Sequence, residues 1–303
     1  MRPSCRLDVL VLLVAVLALG SCIVARAQAP IPAAQLALAA LPDAPLPQPA
    51  DPDPQPQFPL PPAAQFSISQ AQSTDPQSSP VTLGVMPRDF LHDQGMIWSS
   101  PASLRTRDLE WLLPLSAAEV VAFKTGRYTM TNVVSRDPVF NKAAINTSNI
   151  LIAGWMAAPV AIWGYGHAAN DYHASETGIL ATESILDGLV VQQVLKWTFR
   201  RERPDVDHAR GRFFRHGVGS NSSFPSSHSL LSWCAASAIA AETHSHWGQA
   251  GLYAGSGSVA LMRVFGQKHF PSDVLAGSSL GWLIGHSVVV RRHFQPPVTT
   301  PAP

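Results

Sequence analysis

The sequence predicts an all-α fold: a compact bundle of about six helices behind a disordered, proline-rich linker. Three observations carry this. Apolar stretches of helical length recur at about 108–124, 143–165, 177–199, 227–242, 247–265 and 272–292. Alternating strand patterns are scarce over the same region. Fifteen of the 27 prolines lie between Pro30 and Pro87, which leaves about 210 residues, ample for one hydrophobic core. Only 14% of the 303 residues are charged and the formal net charge is +1. That balance argues against a basic nucleic-acid binder.

The first element is a targeting segment. Arg2 and Arg6 precede VLVLLVAVLALG at 9–20, a signal-peptide core too short to span a bilayer. Ala25-Arg26-Ala27 fits a small-x-small cleavage site and gives a signal peptide over 1–27. Leu19-Gly20-Ser21-Cys22 resembles a lipoprotein box, which would end the signal at residue 21 and leave a lipidated Cys22. Either exit predicts an exported protein, periplasmic or anchored to a membrane.

Residues 28–87 are rich in Pro, Ala, Gln, Ser and Asp. Such a composition cannot bury enough apolar surface to offset its ordering entropy, and it reads as a disordered tether. The helical domain is expected over 88–295 and a disordered tail over 296–303. Within the domain, Ile150–Tyr165 and Val274–Val290 approach the length of a membrane span. Glu119, Glu183 and Asp187 interrupt other segments, so a compact, membrane-apposed domain is preferred to a polytopic one. Cys234 sits in an apolar run and is expected to be a buried, inert thiol.

Three polar clusters carry the chemistry. Between Lys196 and Arg215 stand seven basic residues against three acidic ones. Lys196 and Arg203 are seven apart, two helical turns, so both are expected on one helix face that Pro204 then ends. In the second cluster, SFPSSHS, Ser226 is a candidate N-cap, and Ser227 and His228 open an apolar helix whose free N–H groups can cradle an anion. In the third, RVFGQKHFPSDVLAG, Pro271 suits a helix first turn and places His269 and Asp273 one turn apart. The carboxylate can then accept from one ring nitrogen and leave the other as a lone pair. At this composition each of the three patterns is expected by chance only about 0.01 to 0.03 times.

The ordered set KWTFRRERP, PSSH and RVFGQKHFPSD resembles the three-part signature of the type 2 phosphatidic acid phosphatase and vanadium haloperoxidase superfamily, over about residues 143–292. Two positions depart from that signature: Ser227 stands where the family has Gly, and Met262 where it has Ser. The resemblance implies an acid phosphatase-like helical bundle. It also implies that Lys196, Arg203 and Arg263 bind phosphate oxygens, with Ser226 and the Ser227 N–H completing the cradle. His269 attacks phosphorus to give a phosphohistidine, Asp273 orients His269, and His228 protonates the leaving oxygen. Three cations and a helix N-terminus can stabilise a phosphoryl group in transfer without a metal or other cofactor. The histidines must hold opposite protonation states, which predicts a bell-shaped rate profile.

The function expected is metal-independent hydrolysis of phosphate monoesters or lipid (pyro)phosphates outside the cytoplasm. The partners are a phosphorylated small molecule or lipid head group and a membrane surface, with no nucleic acid. The alternatives are a haloperoxidase, for which alone vanadate would be a cofactor, and a catalytically silent anion- or lipid-binding module. Glu183 and Asp187 are expected to balance the basic cluster or serve helix packing. Phe213-Phe214 could shape a substrate mouth or pack a loop.

Overall fold

The computed structural model describes residues 81–100 and 105–294. The signal segment with Cys22, nearly all of the proline-rich stretch and the tail lie outside the described residues. Among the described residues there are seven α-helices and no strand: α1 (Met86–Ser99), α2 (Leu109–Tyr128), α3 (Pro138–Ala169), α4 (Tyr172–Phe199), α5 (Ser227–Glu242), α6 (His246–Phe265) and α7 (Pro271–Phe294). The last six match the six predicted segments. No predicted segment corresponds to α1, whose charges and low apolar content hide it, and α1 begins two residues inside the stretch assigned to the linker.

Local signals set most helix starts. Asp137 accepts from the Val139 N–H at 3.0 Å, with Pro138 beside it, and opens α3. Asp171 accepts from the Ala174 N–H at 3.0 Å and opens α4. Ser245 does the same for α6 through the Gly248 N–H at 3.3 Å. The α3–α4 turn passes through Asn170 at φ 55°, in the left-handed region.

The core is α5. Twelve of its sixteen residues are buried, so it is apolar on every side and must be enclosed. Its closest neighbour is α7, and glycines set the spacing. A Cβ at Gly277 would lie 2.7 Å from the Ser226 carbonyl oxygen, one at Gly281 2.2 Å from that of Leu230, and one at Gly285 2.3 Å from that of Cys234. Each contact is to backbone, which cannot swing aside. Serines buried at the helix contacts donate to carbonyls, as Ser237 does to Trp282 at 2.7 Å and Ser256 to Ser232 at 3.1 Å. Cys234 is buried in this layer and burial pushes its thiol well up.

Glu183 and Asp187 serve packing, not the basic cluster. Glu183 accepts from Arg292 at 3.2 Å and Asp187 from Gln94 at 2.8 Å. Asp89 and Asp93 of α1 pair with Arg292 and Arg291 of α7. This polar seam fastens α1 to α4 and α7.

Among the described residues, three helices are long and apolar enough to cross a membrane: α3, α4 and α7 up to Arg292. They differ in what covers them. Only 11% of the apolar window of α3 is buried, against 67% in the other two. Ile150, Val160 and Tyr165 stand exposed along α3.

The glycine contacts predict a specific fragility. Gly281→Ala should lower unfolding stability by about 3 kcal/mol, the upper range for forced overpacking, as read by thermal or denaturant melts. Gly257→Ala, whose Cβ would meet nothing within 4 Å, should be neutral or slightly stabilising.

Candidate active site

The first cluster does not lie along one helix face. α4 ends at Phe199, and Arg200 adopts φ 44° as a left-handed cap, so Pro204 is not what stops the helix. Lys196 stays on α4, while Arg203 sits in the following loop and is carried back toward it. Lys196 Nζ donates to the Ser222 carbonyl at 2.5 Å. Arg203 Nε donates to the Asn221 carbonyl at 3.1 Å, and its Nη1 reaches the Lys268 carbonyl at 3.4 Å. Backbone carbonyls thus position both cations without neutralising them.

Arg263 lies in the last turn of α6. Its Nη1 donates to Ser148 Oγ at 3.1 Å and Asn149 Oδ1 at 3.4 Å, both on α3, and its Nε is buried with no partner among the described residues. Met262 offers no hydroxyl beside Arg263, and both of these hydrogen bonds come from α3. Ser227 is the first residue of α5 and is not among the positive-φ residues, so no glycine is needed there. Its hydroxyl donates to Gln192 at 2.7 Å.

Ser226 stands at the N-cap of α5, but its side chain makes no capping bond. Its hydroxyl accepts from Ser229 at 3.0 Å, and its N–H is taken by the Asp273 carbonyl at 3.0 Å. Its amide is thus spent on the fold. The N–H groups at the start of α5 have no intrahelical acceptor and face the anion-binding end of the helix dipole.

His269 precedes α7 and is 1% exposed. The expected direct bond to Asp273 is not made: Nδ1 lies 4.0 Å from Asp273 Oδ2 but 2.7 Å from the Ser223 carbonyl. A carbonyl can only accept, so Nδ1 carries the proton and Nε2 the lone pair. Asp273 is otherwise engaged. Its Oδ2 accepts from the Ser223 hydroxyl at 2.5 Å and the Phe270 N–H at 2.8 Å, and its Oδ1 from Arg201 at 2.6 Å. Asp273 thus acts on His269 through Ser223 rather than by touching the ring.

Arg201 is the residue that the sequence did not single out within its basic cluster. It is buried, donates also to Ser272 at 2.8 Å, and its guanidinium lies 4.2 Å, 4.8 Å and 5.2 Å from the ring centres of Phe270, Phe213 and Phe123. Phe213 therefore packs the loop rather than lining a mouth. Glu119 lies nearby, buried with neither oxygen partnered among the described residues. Burial, and then the Asp273 charge, push its carboxyl up to about 8, against the pull of Arg201.

The electrostatics bring the three clusters together. His269 is held well below the usual imidazole range by burial and then by Lys196, Arg203 and Arg263. His228 is lowered to about 4 by burial and then by Arg263, Arg203 and Lys196. Both imidazoles therefore sense the same three cations. Burial lowers Arg203, and burial with the Arg203 charge lowers Arg263 to about 10. Arg203, Arg263, Asn149 and Lys268 line a cavity of about 770 Å³. Burial and the three cations thus disfavour the charged form of both histidines, whereas the expected chemistry requires one of them charged; an anion between the cations would favour that charge.

The model of the PAP2 superfamily matches residues 177–295. That stretch carries all three clusters, and over it the chain resembles the superfamily as the motifs indicated. Among solved structures, the chain is similar to the first transmembrane PAP2 type phosphatidylglycerolphosphate phosphatase from Bacillus subtilis, at 22% identity over 68% of this chain and 92% of that one, with a TM-score of 0.40. No curated protein matches the chain.

Two outcomes are expected. Phosphate binding near pH 6 should take up protons, because an anion in the cradle raises His228; calorimetry in buffers of different ionisation enthalpy measures this. Glu119→Gln should match the parent's stability near pH 4 and gain on it as pH rises to about 8. In that window the unfolded carboxyl ionises and the buried one does not, so the parent loses stability.

Proposed function

We propose that the protein is a metal-independent phosphatase that hydrolyses phosphate monoesters or lipid (pyro)phosphates by a phosphohistidine route. The observation that carries this reading is the pairing of His269, whose Nε2 lone pair is fixed by the Ser223 carbonyl, with three cations that are hydrogen-bonded to neutral oxygens. Lys196, Arg203 and Arg263 bind the phosphate oxygens, with Ser226 and the Ser227 N–H at the start of α5. The PAP2 superfamily match over 177–295 supports the same chemistry.

His269 Nε2 attacks phosphorus, the ester P–O bond breaks, and the leaving oxygen takes a proton from His228. Water then attacks the phosphohistidine. The P–N bond breaks, and the proton lost by water returns to His228. Asp273, pinned by Arg201, holds Ser223 and through it the His269 ring. The signal-like N-terminus supports work outside the cytoplasm, and the uncovered apolar length of α3 supports a site held at or in a membrane. A lipid phosphate and a soluble one present the same oxygens to this cradle.

Quenching in alkaline denaturant during turnover of a labelled phosphate ester should trap a base-stable, acid-labile phosphoprotein. His269→Ala should abolish that label and lower kcat by at least about a hundredfold, the scale for losing a nucleophile. Bromination by the vanadate-loaded protein with peroxide, without ester hydrolysis, would instead establish the haloperoxidase. A His269→Ala variant with undiminished biological activity would establish a silent binding module.

A further inference from the structure

His228 touches one side chain that no motif contains. Its Nε2 lies 3.1 Å from Oδ1 of Asn149, on α3. The same Oδ1 receives Arg263 Nη1 at 3.4 Å. A guanidinium can only donate, so the Asn149 atom facing it is the carbonyl oxygen. That oxygen cannot donate to His228, so Nε2 carries a proton and Nδ1 is left to gain or lose one. Asn149 is exposed, lines the cavity with Arg203 and Arg263, and lies 79 residues from His228 in the chain. It is a polar residue on a helix otherwise apolar enough to cross a membrane.

We propose that Asn149 is a positioning residue for leaving-group protonation: it locks His228 in the Nε2–H tautomer and ties it to Arg263, so that the acid is aligned where phosphate binds. This rests on the phosphatase reading. The charged groups acting on His228 are Arg263 from α6, Arg203 from the loop after α4 and Lys196 from α4; α3 contributes the uncharged Asn149. All three charges disfavour the protonated ring. Asn149 is thus a neutral acceptor that accommodates the imidazolium as well as the imidazole, because Nε2–H donates to it in both states.

The test compares two esters on the full chain: p-nitrophenyl phosphate, whose leaving group needs little protonation, and an alkyl phosphate of similar size, whose alkoxide must be protonated. Asn149→Leu should lower kcat for the alkyl ester about a hundredfold, within the usual range for general acid catalysis, and for the nitrophenyl ester less than about fivefold. An equal loss on both esters would overturn the proposal, since a structural or phosphate-binding role cannot tell leaving groups apart. Asn149→Asp should move the alkaline limb of kcat upward by about one pH unit, because an adjacent carboxylate favours the charged ring; an unmoved limb also overturns it. If the parent hydrolyses neither ester, nitrogen-15 histidine NMR decides the tautomer independently of the phosphatase reading. An Nε2–H signature for His228 that Asn149→Leu disperses upholds the placement, and an Nδ1–H signature in the parent overturns it.

Discussion

Asp273 is the point through which the three polar clusters hold one another. Its carboxylate takes bonds from Arg201 in the first cluster, Ser223 in the second, and Phe270 in its own. Its carbonyl takes the Ser226 N–H. A buried ionised carboxylate is tolerable only when so surrounded, and here the surrounding groups come from stretches far apart in sequence. Satisfying that one charge therefore draws the loop after α4, the entry to α5 and the entry to α7 to a common point. The bond from Ser223 to Asp273 also aims the Ser223 carbonyl that fixes His269.

The helix layer beneath makes this convergence possible. α5 carries the second cluster at its start and α7 the third, and the two starts meet because glycines let the backbones touch. The aromatic rings around Arg201 add a second constraint. They exclude water from a guanidinium whose partner is also dry, which strengthens the pair and fixes its direction.

Much of this was legible in the sequence. Six helices follow from apolar segment length, and the residue types of the site follow from the spacing of three motifs. What escaped has physical reasons. α1 is short, has little apolar content overall, and carries charges that pair with Arg291 and Arg292, so it does not stand out as an apolar segment. The placement of Lys196 and Arg203 on one helix face failed because a left-handed residue at Arg200 breaks the helix four residues before Pro204. The His269–Asp273 spacing suggested a direct bond, but the carboxylate spends its lone pairs on Ser223, Phe270 and Arg201. Asn149 and Arg201 left little trace, because each acquires its role from a partner more than seventy residues away.

The three cations of the cradle are fastened by neutral oxygens: Lys196 and Arg203 by backbone carbonyls, Arg263 by a hydroxyl and an amide. Their geometry is thus set before any ligand arrives, and their charge is left over. Such a site needs no rearrangement to grip an oxyanion, which favours fast capture. The ester and the free phosphate left after hydrolysis offer it the same oxygens, so on the phosphatase reading inorganic phosphate competes with substrate for the cradle.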